Sequence, residues 1–322
     1  MIVITGGAGF IGSNIVAGLN RRGYSDILVV DHLKNGKKML NLADLDFVDY
    51  LERDAFIDRV SRGDAFGKVE ALFHLGACSS TTEWDGQFMM RNNFDYSKTL
   101  LHWCQAHRVP FLYASSASVY GMGDKGFKEQ RSTERPLNMY AFSKFQFDQY
   151  LRHHQTQLTQ QVVGLRYFNV YGPHESHKGT MSSTVFHFSR QVASEGVANL
   201  FCGTDGYGDG EQQRDFVFVE DCVDVNLWFL DHPDKSGIFN VGTGRAQSFN
   251  DVANAVIAWH QQHGTPNGEI SYIPFPEHLR GAYQSYTCAD ISALRQIGYS
   301  RPFQPVESGV PRYLDQLNGV VD

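Results

Sequence analysis

The sequence has few cysteines, and none of them lies in a zinc-binding or disulfide-framework pattern. The five cysteines are odd in number, scattered over 322 residues and never spaced as C-x-x-C. This usage disfavours a secreted, disulfide-rich domain and a zinc ribbon. There is also no H-E-x-x-H and no Cys/His ligand spacing. We therefore predict no metal site, and a reducing cytoplasm as the compartment.

Positive charge is scarce as well. Lysine and arginine number 28 against 35 aspartates and glutamates, which gives a net charge of −7. Nucleic acids and anionic membranes bind basic faces, so neither is an expected partner. The apolar residues 2–4 are too few for a signal peptide or a membrane span. The 42% hydrophobic content is ample for a core, and the length suggests roughly two domains.

Glycine, in contrast, is concentrated at the start, in MIVITGGAGFIGSN. Residues 2–4 predict a buried strand, and apolar residues at helical spacing from Phe10 to Leu19 predict a helix. In a turn between such elements, backbone N–H groups can approach a pyrophosphate at the helix N-terminus. Gly12 would let the helix pack closely on the strand. Gly7, Gly9 and Gly12 fit G-x-G-x-x-G, and Gly6, Gly9 and Gly12 fit the wider G-x-x-G-x-x-G.

A second predicted strand, ILVVDHL at 27–33, places an acid where a dinucleotide fold carries its ribose ligand. Asp31 follows the glycine turn by about twenty residues, which favours a free 2′-hydroxyl and hence NAD. Lys34, Lys38 and Arg53 could instead surround the 2′-phosphate of NADP. At this point both nicotinamide cofactors stay open.

Strand-like and helix-like segments then alternate. Strands are predicted at 71–77, 110–116 and 161–172, and helices at 86–106 and 140–154. Alternation of this kind predicts an α/β fold, a doubly wound parallel Rossmann sheet with helices on both faces. The three segments GPHESHKGTMSS, CGTDGYGDGEQQRD and YIPFPEHLRGAY are turn-rich and typical of substrate loops. We predict a dinucleotide-binding domain over 1–168, to which the chain returns at about 214–240, and a smaller, discontinuous α/β substrate-binding domain mainly over 169–322.

Three side chains form a candidate acid/base set. Tyr140 and Lys144 are four residues apart and share one face of the predicted helix. A phenol has a pKa near 10, and a neighbouring ammonium favours the phenolate, which brings the group toward a useful range. Ser116, at a predicted strand end, could place its hydroxyl beside the same substrate oxygen. We predict catalytic roles for all three.

The combination of TGGAGFIG, YASSASVYG and YAFSK resembles the extended short-chain dehydrogenase/reductase family of nucleotide-sugar enzymes over essentially the whole chain. GACSSTTEWDG, NVYGPHESHKGTM and YIPFP resemble the members that invert C6 of an ADP-heptose. The resemblance implies tightly bound NADP, with NAD possible, and a product for the heptose of the lipopolysaccharide inner core. It also implies a homo-oligomer, with pentamers among the family's assemblies.

The implied reaction makes Lys178 a further candidate. Inverting a carbon without an acidic hydrogen requires hydride removal and its return to the other face. Each face then needs an acid/base group, and the resemblance assigns Lys178 the role opposite Tyr140, for which its pKa must be lowered. Ala117 and Ser118 stand where the family's dehydratases carry Asp-Glu, so dehydration is disfavoured.

Two other functions stay open at this stage. A UDP-sugar 4-epimerase of the same family needs one acid/base group, so Lys178 discriminates it. A catalytically silent NADP(H)-sensing protein would have lost Tyr140 or Lys144, and both are present.

The resemblance also implies ligand contacts, position by position. Without the resemblance, the alternatives are a surface salt-bridge partner for Arg214 and a core histidine for His187. The loop over residues 203–213 is longer than the family pattern. The implied cofactor contacts are Gly6, Gly7, Gly9, Phe10, Ile11, Gly12, Asp31, His32, Lys38, Arg53, Leu75, Gly76, Ala77, Cys78, Ser79, Asn92, Lys144, Val170 and Lys178. The implied substrate contacts are Ser116, Asn169, Thr180, His187, Phe201, Cys202, Gly203, Thr204, Arg214 and Tyr272.

Overall fold

A computed structural model describes residues 1–264, 268–277 and 283–320. Its centre is a seven-stranded sheet in the order β11-β6-β5-β4-β1-β2-β3, in which every neighbouring pair is parallel. The strands of this sheet are β1 Ile2–Thr5, β2 Ile27–Asp31, β3 Asp49–Glu52, β4 Ala71–His74, β5 Phe111–Ser116, β6 Val162–Tyr167 and β11 Gly237–Val241. The shorter strands are β7 Asn169–Tyr171, β8 Val197–Phe201, β9 Gln213–Arg214, β10 Phe216–Phe218, β12 Gln247–Ser248 and β13 Glu269–Ile273.

The helices cover both faces of the sheet. Along β1, Ile2 and Ile4 face one core and Val3 faces the other, which is why the strand reads as a continuous apolar run. The α-helices of the described residues are α1 Phe10–Arg21, α2 Arg53–Ser61, α3 Gly86–Met89, α4 Tyr96–His107, α5 Met139–His154, α6 Thr184–Glu195, α7 Val219–Asp231, α8 Phe249–Gln262, α9 Ser292–Gln296 and α10 Val306–Asn318. Helices α1 and α7 pack together on the first core, and α2, α4 and α5 build the second. The predicted Rossmann fold is confirmed.

Several predicted boundaries differ from the observed ones. The strand predicted at 27–33 ends at Asp31, and the one at 71–77 ends at His74. The apolar run 161–172 is two strands, because the chain leaves the main sheet after Tyr167 and β7 pairs with β10 instead. The helix predicted at 86–106 contains a π-helical stretch, Met90–Asp95, between α3 and α4. Strand β3 was not predicted, because this polar edge strand of sequence DYLE lacks an apolar run.

The second half of the chain has a core of its own and also rejoins the sheet. Helices α6, α8 and α10 pack around β8 and β10 in this core. Strand β11 pairs with β6, so residues 237–241 belong to the main sheet. The domain boundaries themselves stay a prediction, and residues 278–282 of YIPFPEHLRGAY lie outside the described residues. No helix within the described ranges is long and apolar enough to cross a membrane.

Candidate active site

A cavity of about 760 Å³ lies at the carboxyl ends of the central strands. Thr5, Asp31, Ser116 and Tyr167, the last residues of β1, β2, β5 and β6, all line it. This is the edge at which open parallel sheets bind ligands. The predicted residues that line the cavity are Gly6, Gly9, Phe10, Ile11, Gly12, Asp31, His32, Lys38, Arg53, Leu75, Gly76, Ala77, Cys78, Ser79, Asn92, Ser116, Tyr140, Lys144, Val170 and Lys178.

The glycine turn is built for close backbone approach. Gly6 has a φ of +69°, and a Cβ there would lie 2.6 Å from the Gly76 nitrogen. A Cβ on Gly12 would lie 2.2 Å from the Gly6 carbonyl oxygen, so the predicted close packing of helix on turn is present. Gly9 precedes α1 without a side-chain cap, and the first helical turn carries no acid. The N-terminus of α1 lines the cavity through Gly9, Phe10, Ile11 and Gly12, and such a helix end favours an anion such as pyrophosphate.

Gly7 does not line the cavity. A Cβ at this position would lie 3.0 Å from Val29 Cγ1 and from the Ile4 carbonyl oxygen. Its small size thus serves packing against β2, and the predicted cofactor contact at Gly7 finds no support in the cavity geometry. Gly6, Gly9 and Gly12 are the members that line it, which favours the G-x-x-G-x-x-G register.

The Asp31 carboxylate is held by its own neighbours. Its Oδ2 accepts the Ala8 N–H at 2.9 Å, and its Oδ1 accepts the His32 N–H at 2.7 Å. Lys38 Nζ donates to the same Oδ1 at 2.8 Å and balances the charge. Arg53, whose Nη1 contacts Asn92 Oδ1 at 3.4 Å, adds a second cation to this end of the cavity.

The pKa of His32 reflects the positive charge at the end of the cavity that holds Lys38 and Arg53. Burial lowers the pKa of its imidazole, and the charges of Lys38 and Arg53 lower it further, against the opposing effect of Asp31. Its Nδ1 is buried without a hydrogen-bond partner in the described structure. The two cations at this end of the cavity, Lys38 and Arg53, can both donate to a phosphate group.

The predicted acid/base set meets at the end of β5. Tyr140 lies in the first turn of α5, which Asn138 caps by accepting the Ala141 N–H at 2.8 Å. Lys144 is buried, its Nζ donates to the Ala114 carbonyl at 2.7 Å, and burial lowers its pKa to about 8. Both side chains line the cavity together with Ser116.

The electrostatics of the phenol differ from the sequence expectation. Burial raises the pKa of Tyr140, while a hydrogen bond with Ser116 lowers it by a smaller amount. The sequence predicted that Lys144 would lower this pKa. The structure instead directs the Lys144 ammonium to a backbone carbonyl, and desolvation of the ring is the largest effect.

Lys178 lines the same cavity from a separate element. It sits in the 3₁₀ turn Ser176–Met181, in which Gly179 has a φ of +58°. Its Nζ lies 5.1 Å from the Phe10 ring centroid, a cation–π distance. Burial lowers the pKa of Lys178, partly opposed by Glu175, which is the direction required of a base near neutral pH.

Arg214 is buried rather than at the surface. Its side chain is 6% exposed, and its guanidinium lies 4.8 Å from the Tyr283 ring and 5.5 Å from the Phe249 ring. None of the ion pairs among the described residues involves Arg214, so the salt-bridge alternative finds no support. Its Nη1 donates to the Gln213 carbonyl at 2.9 Å, and a guanidinium is the group that pairs bidentately with an anion such as a pyrophosphate.

The remaining substrate candidates lie outside the cavity. Phe201 ends β8 beside β13, and its ring lies 6.5 Å from that of Tyr283, which connects it to Arg214. Tyr272 is 43% exposed and donates to Asn250. Residues 202–204 follow Phe201 and are half-buried. None of these candidates lines the cavity that holds Tyr140. They are Asn169, Thr180, His187, Phe201, Cys202, Gly203, Thr204, Arg214 and Tyr272.

Two of these candidates, Asn169 and Thr180, are close in the sequence to cavity residues. Asn169 is exposed and immediately precedes Val170, and Thr180 is exposed two residues after Lys178. His187 is half-buried on α6 with its ring 5.8 Å from Phe186, so it is not a core histidine.

Sequence reasoning missed other lining residues, among them Asn35, Tyr96, His177 and Met181. Tyr96 follows Asn92 by four residues in one helical stretch, a spacing that predicts a shared face. His177 precedes Lys178 directly. No sequence pattern points to Asn35.

A Rossmann sheet whose cavity joins a glycine turn to a Ser-Tyr-Lys set defines a dinucleotide-dependent enzyme of the short-chain class. Residues 2–242 match the model of the NAD dependent epimerase/dehydratase family, and the chain belongs to that family.

The chain is 60% identical over 317 residues to the ADP-L-glycero-D-manno-heptose-6-epimerase of Alkalilimnicola ehrlichii, covering 98% of this chain and 97% of the relative. A solved structure of the Helicobacter pylori ADP-L-glycero-D-manno-heptose-6-epimerase superposes with a TM-score of 0.81 at 28% identity, over 99% of this chain and 96% of that one. The UDP-glucose 4-epimerase of Thermus thermophilus, solved with NAD, gives a TM-score of 0.78 at 27% identity and covers 99% of each chain.

Proposed function

We propose that the protein converts ADP-D-glycero-D-manno-heptose to ADP-L-glycero-D-manno-heptose by inverting C6 of the heptose. The observation that carries the proposal is Lys178, a half-buried lysine of lowered pKa that lines the same cavity as Tyr140 and Ser116. Two acid/base groups suit a reaction in which the transient ketone presents both faces. The name of the 60% identical relative supports the choice of C6 and of the ADP-heptose.

The residues divide the proton chemistry between them. A bound nicotinamide dinucleotide would accept the hydride from C6 and later return it, so that no net oxidation results. Either Tyr140 or Lys178 takes the proton of the C6 hydroxyl as the C6–H bond breaks, which leaves a ketone at C6. The other residue gives a proton to the same oxygen when the opposite face of C6 is reduced. Ser116 lines the cavity together with Tyr140, and its hydroxyl would bond this oxygen.

We propose NADP as the cofactor, with NAD as the alternative. The Asp31 carboxylate, which would repel a 2′-phosphate, is paired with Lys38. Arg53 and Lys34 line the same cavity as Asp31 and Lys38. Titration of the dinucleotide-free protein with each cofactor tests this: tighter binding of NADP supports the assignment, and tighter binding of NAD contradicts it.

The family resemblance supports three further parts of the proposal. These are a homo-oligomer of five subunits, a cytoplasmic location, and supply of heptose for the lipopolysaccharide inner core. Light scattering of the purified protein measures the first directly. A monomer in solution would contradict it.

The test of the two-group mechanism compares Lys178→Met with a matched control. Lys125→Met changes an exposed lysine outside the cavity. With ADP-D-glycero-D-manno-heptose as substrate and proton NMR as the assay, we expect Lys178→Met to slow epimerisation by about 10²–10⁴-fold. Lys125→Met should behave as the wild type. Full activity of Lys178→Met, or conversion of UDP-galactose in place of the heptose substrate, would favour a one-group 4-epimerase.

A further inference from the structure

The loop that carries Lys178 is attached to the glycine-turn side of the molecule by side-chain hydrogen bonds. Asn14 Nδ2 donates to the Pro173 carbonyl at 2.9 Å, and Ser13 Oγ lies 2.9 Å from His174 Nδ1. Both partners belong to α1, the helix that follows the glycine turn. The start of the loop is therefore anchored where the dinucleotide is expected to bind.

Asn41 contacts the glycine turn and the Lys178 loop at the same time. It ends the 3₁₀ helix Gly36–Asn41 and is 4% exposed. Its Nδ2 lies 3.0 Å from the Ala8 carbonyl oxygen, 3.1 Å from that of His174 and 3.1 Å from His177 Nδ1. Since carbonyl oxygens only accept hydrogen bonds, the atom facing them must be the amide nitrogen.

The contact between Asn41 and His177 ties the position of the loop to the state of the His177 ring. The Asn41 amide nitrogen cannot accept, so a hydrogen bond between the two nitrogens requires Nδ1 to accept from a neutral imidazole. The amide has two N–H groups for three acceptors, so one N–H is shared. Burial lowers the pKa of His177, and Lys38 and Lys178 lower it further, while the His174 backbone and Asp31 act in the opposite direction. The neutral form is the one that this junction needs.

The residue that caps the same short helix also forms a hydrogen bond with the backbone of His177. Asn35 caps the helix by accepting the Lys37 N–H at 3.2 Å, and its Nδ2 donates to the His177 carbonyl at 3.1 Å. Both ends of Gly36–Asn41 thus hold the residue that directly precedes Lys178. The Lys178 ammonium itself has the Phe10 ring at 5.1 Å, and its backbone N–H donates to Glu175 at 2.9 Å. The position of the Lys178 ammonium therefore depends on the backbone of residues 177 and 178.

We propose that Asn41 and His177 are positioning residues that hold Lys178 at the cavity. The inference rests on the acid/base role given to Lys178 in the proposed function. The junction joins three segments: the glycine turn through Ala8, the helix Gly36–Asn41, and the loop at His174 and His177.

The far end of the loop has an independent anchor. Glu175 is fully buried and accepts hydrogen bonds from Ser183 Oγ at 2.7 Å and from the Gly172 N–H at 3.3 Å. Ser182 Oγ donates to the Glu175 carbonyl at 3.0 Å. Loss of the Asn41 junction should therefore displace Lys178 without unfolding the loop.

The test uses a pair of variants at His177. In His177→Asn the amide oxygen can occupy the place of Nδ1 and accept from Asn41, whereas His177→Leu offers no acceptor. We expect His177→Leu and Asn41→Ala to lower kcat by about tenfold or more, the loss of one hydrogen bond and of alignment. His177→Asn should recover most of the rate, with KM within about twofold of the wild type. Asn20→Ala is the control, since Asn20 joins Tyr24 to Asp46 outside the cavity.

The pH profile separates positioning from damage. A loosened loop exposes Lys178 to water, so its pKa rises from the lowered value toward that of a free lysine. The limb of the kcat–pH profile that the ionisation of Lys178 controls should then move to higher pH in His177→Leu, whichever of the two proton-transfer roles Lys178 has. Hydrogen exchange of residues 173–182 should be faster in His177→Leu and Asn41→Ala than in His177→Asn.

The outcomes separate this inference from the proposed function. If the wild type does not epimerise the heptose, or if Lys178→Met is fully active, the proposed function fails. If Lys178→Met is inactive and His177→Leu keeps its kcat and pH profile, the positioning role is wrong and the function stands. Equal losses in His177→Leu and His177→Asn with an unmoved pH profile would also overturn it. If Asn41→Ala does not fold, the comparison of His177→Leu with His177→Asn tests the positioning role by itself.

Discussion

Replacing Gly12 by alanine should separate the glycine turn from α1. A Cβ on Gly12 would lie 2.2 Å from the Gly6 carbonyl oxygen, 2.8 Å from its carbon and 3.0 Å from Gly7 Cα. A relaxed carbon–oxygen contact is about 3.3 Å or more, so helix and turn must move apart by about 1 Å. All three neighbours are backbone atoms, so no side-chain rotation relieves the overlap. Overpacking of this kind costs about 1–3 kcal/mol, against about 1 kcal/mol from the better helix propensity of alanine.

We expect Gly12→Ala to bind dinucleotide at least tenfold more weakly, which corresponds to about 1.4 kcal/mol, and to melt at a lower temperature. Gly36→Ala is the matched control, since no heavy atom lies within 4 Å of its added Cβ. Cofactor titration and thermal unfolding of both variants supply the comparison. Wild-type affinity in Gly12→Ala would refute the close packing of turn and helix.

Other substitutions test other parts of the molecule. Tyr140→Phe should slow turnover by about 10²–10⁴-fold and leave the dinucleotide bound; undiminished turnover would remove the phenol from the reaction. Lys38→Ala should shift the binding preference from NADP toward NAD by about tenfold, as measured by titration, and an unchanged preference would exclude a phosphate contact. Arg166 is 0% exposed and pairs with Asp148 at 2.7 Å and with Glu134. Arg166→Met should therefore cost about 3–5 kcal/mol in urea unfolding, and a change below about 1 kcal/mol would contradict a structural role for the network.

Local patterns predicted much of the fold. The strand, glycine turn and helix at the start depend on neighbours in the sequence, and so does the placing of Ser116 at the end of β5. Buried parallel strands carry their own signal as apolar runs. The exception is β3, which holds its place by pairing with β2 and has little apolar sequence of its own.

Long-range contacts account for what sequence reasoning missed in the site. Pairing of Lys38 with Asp31 follows from how the turn after β2 folds back. The raised pKa of Tyr140 reflects burial that only the assembled cavity creates. The rings around Arg214 come from residues 249 and 283, far along the chain. None of these contacts has a spacing that a sequence pattern could reveal.

The proposed reaction inverts C6 of the heptose by removing a hydride and returning the same hydride to the opposite face. The most direct measurement is proton NMR of the purified protein with ADP-D-glycero-D-manno-heptose in D₂O. We expect the L-glycero epimer with its C6 hydrogen retained and with no net reduction of the dinucleotide. Deuterium at C6 of the product, or no conversion of this substrate while UDP-galactose is epimerised, would contradict it.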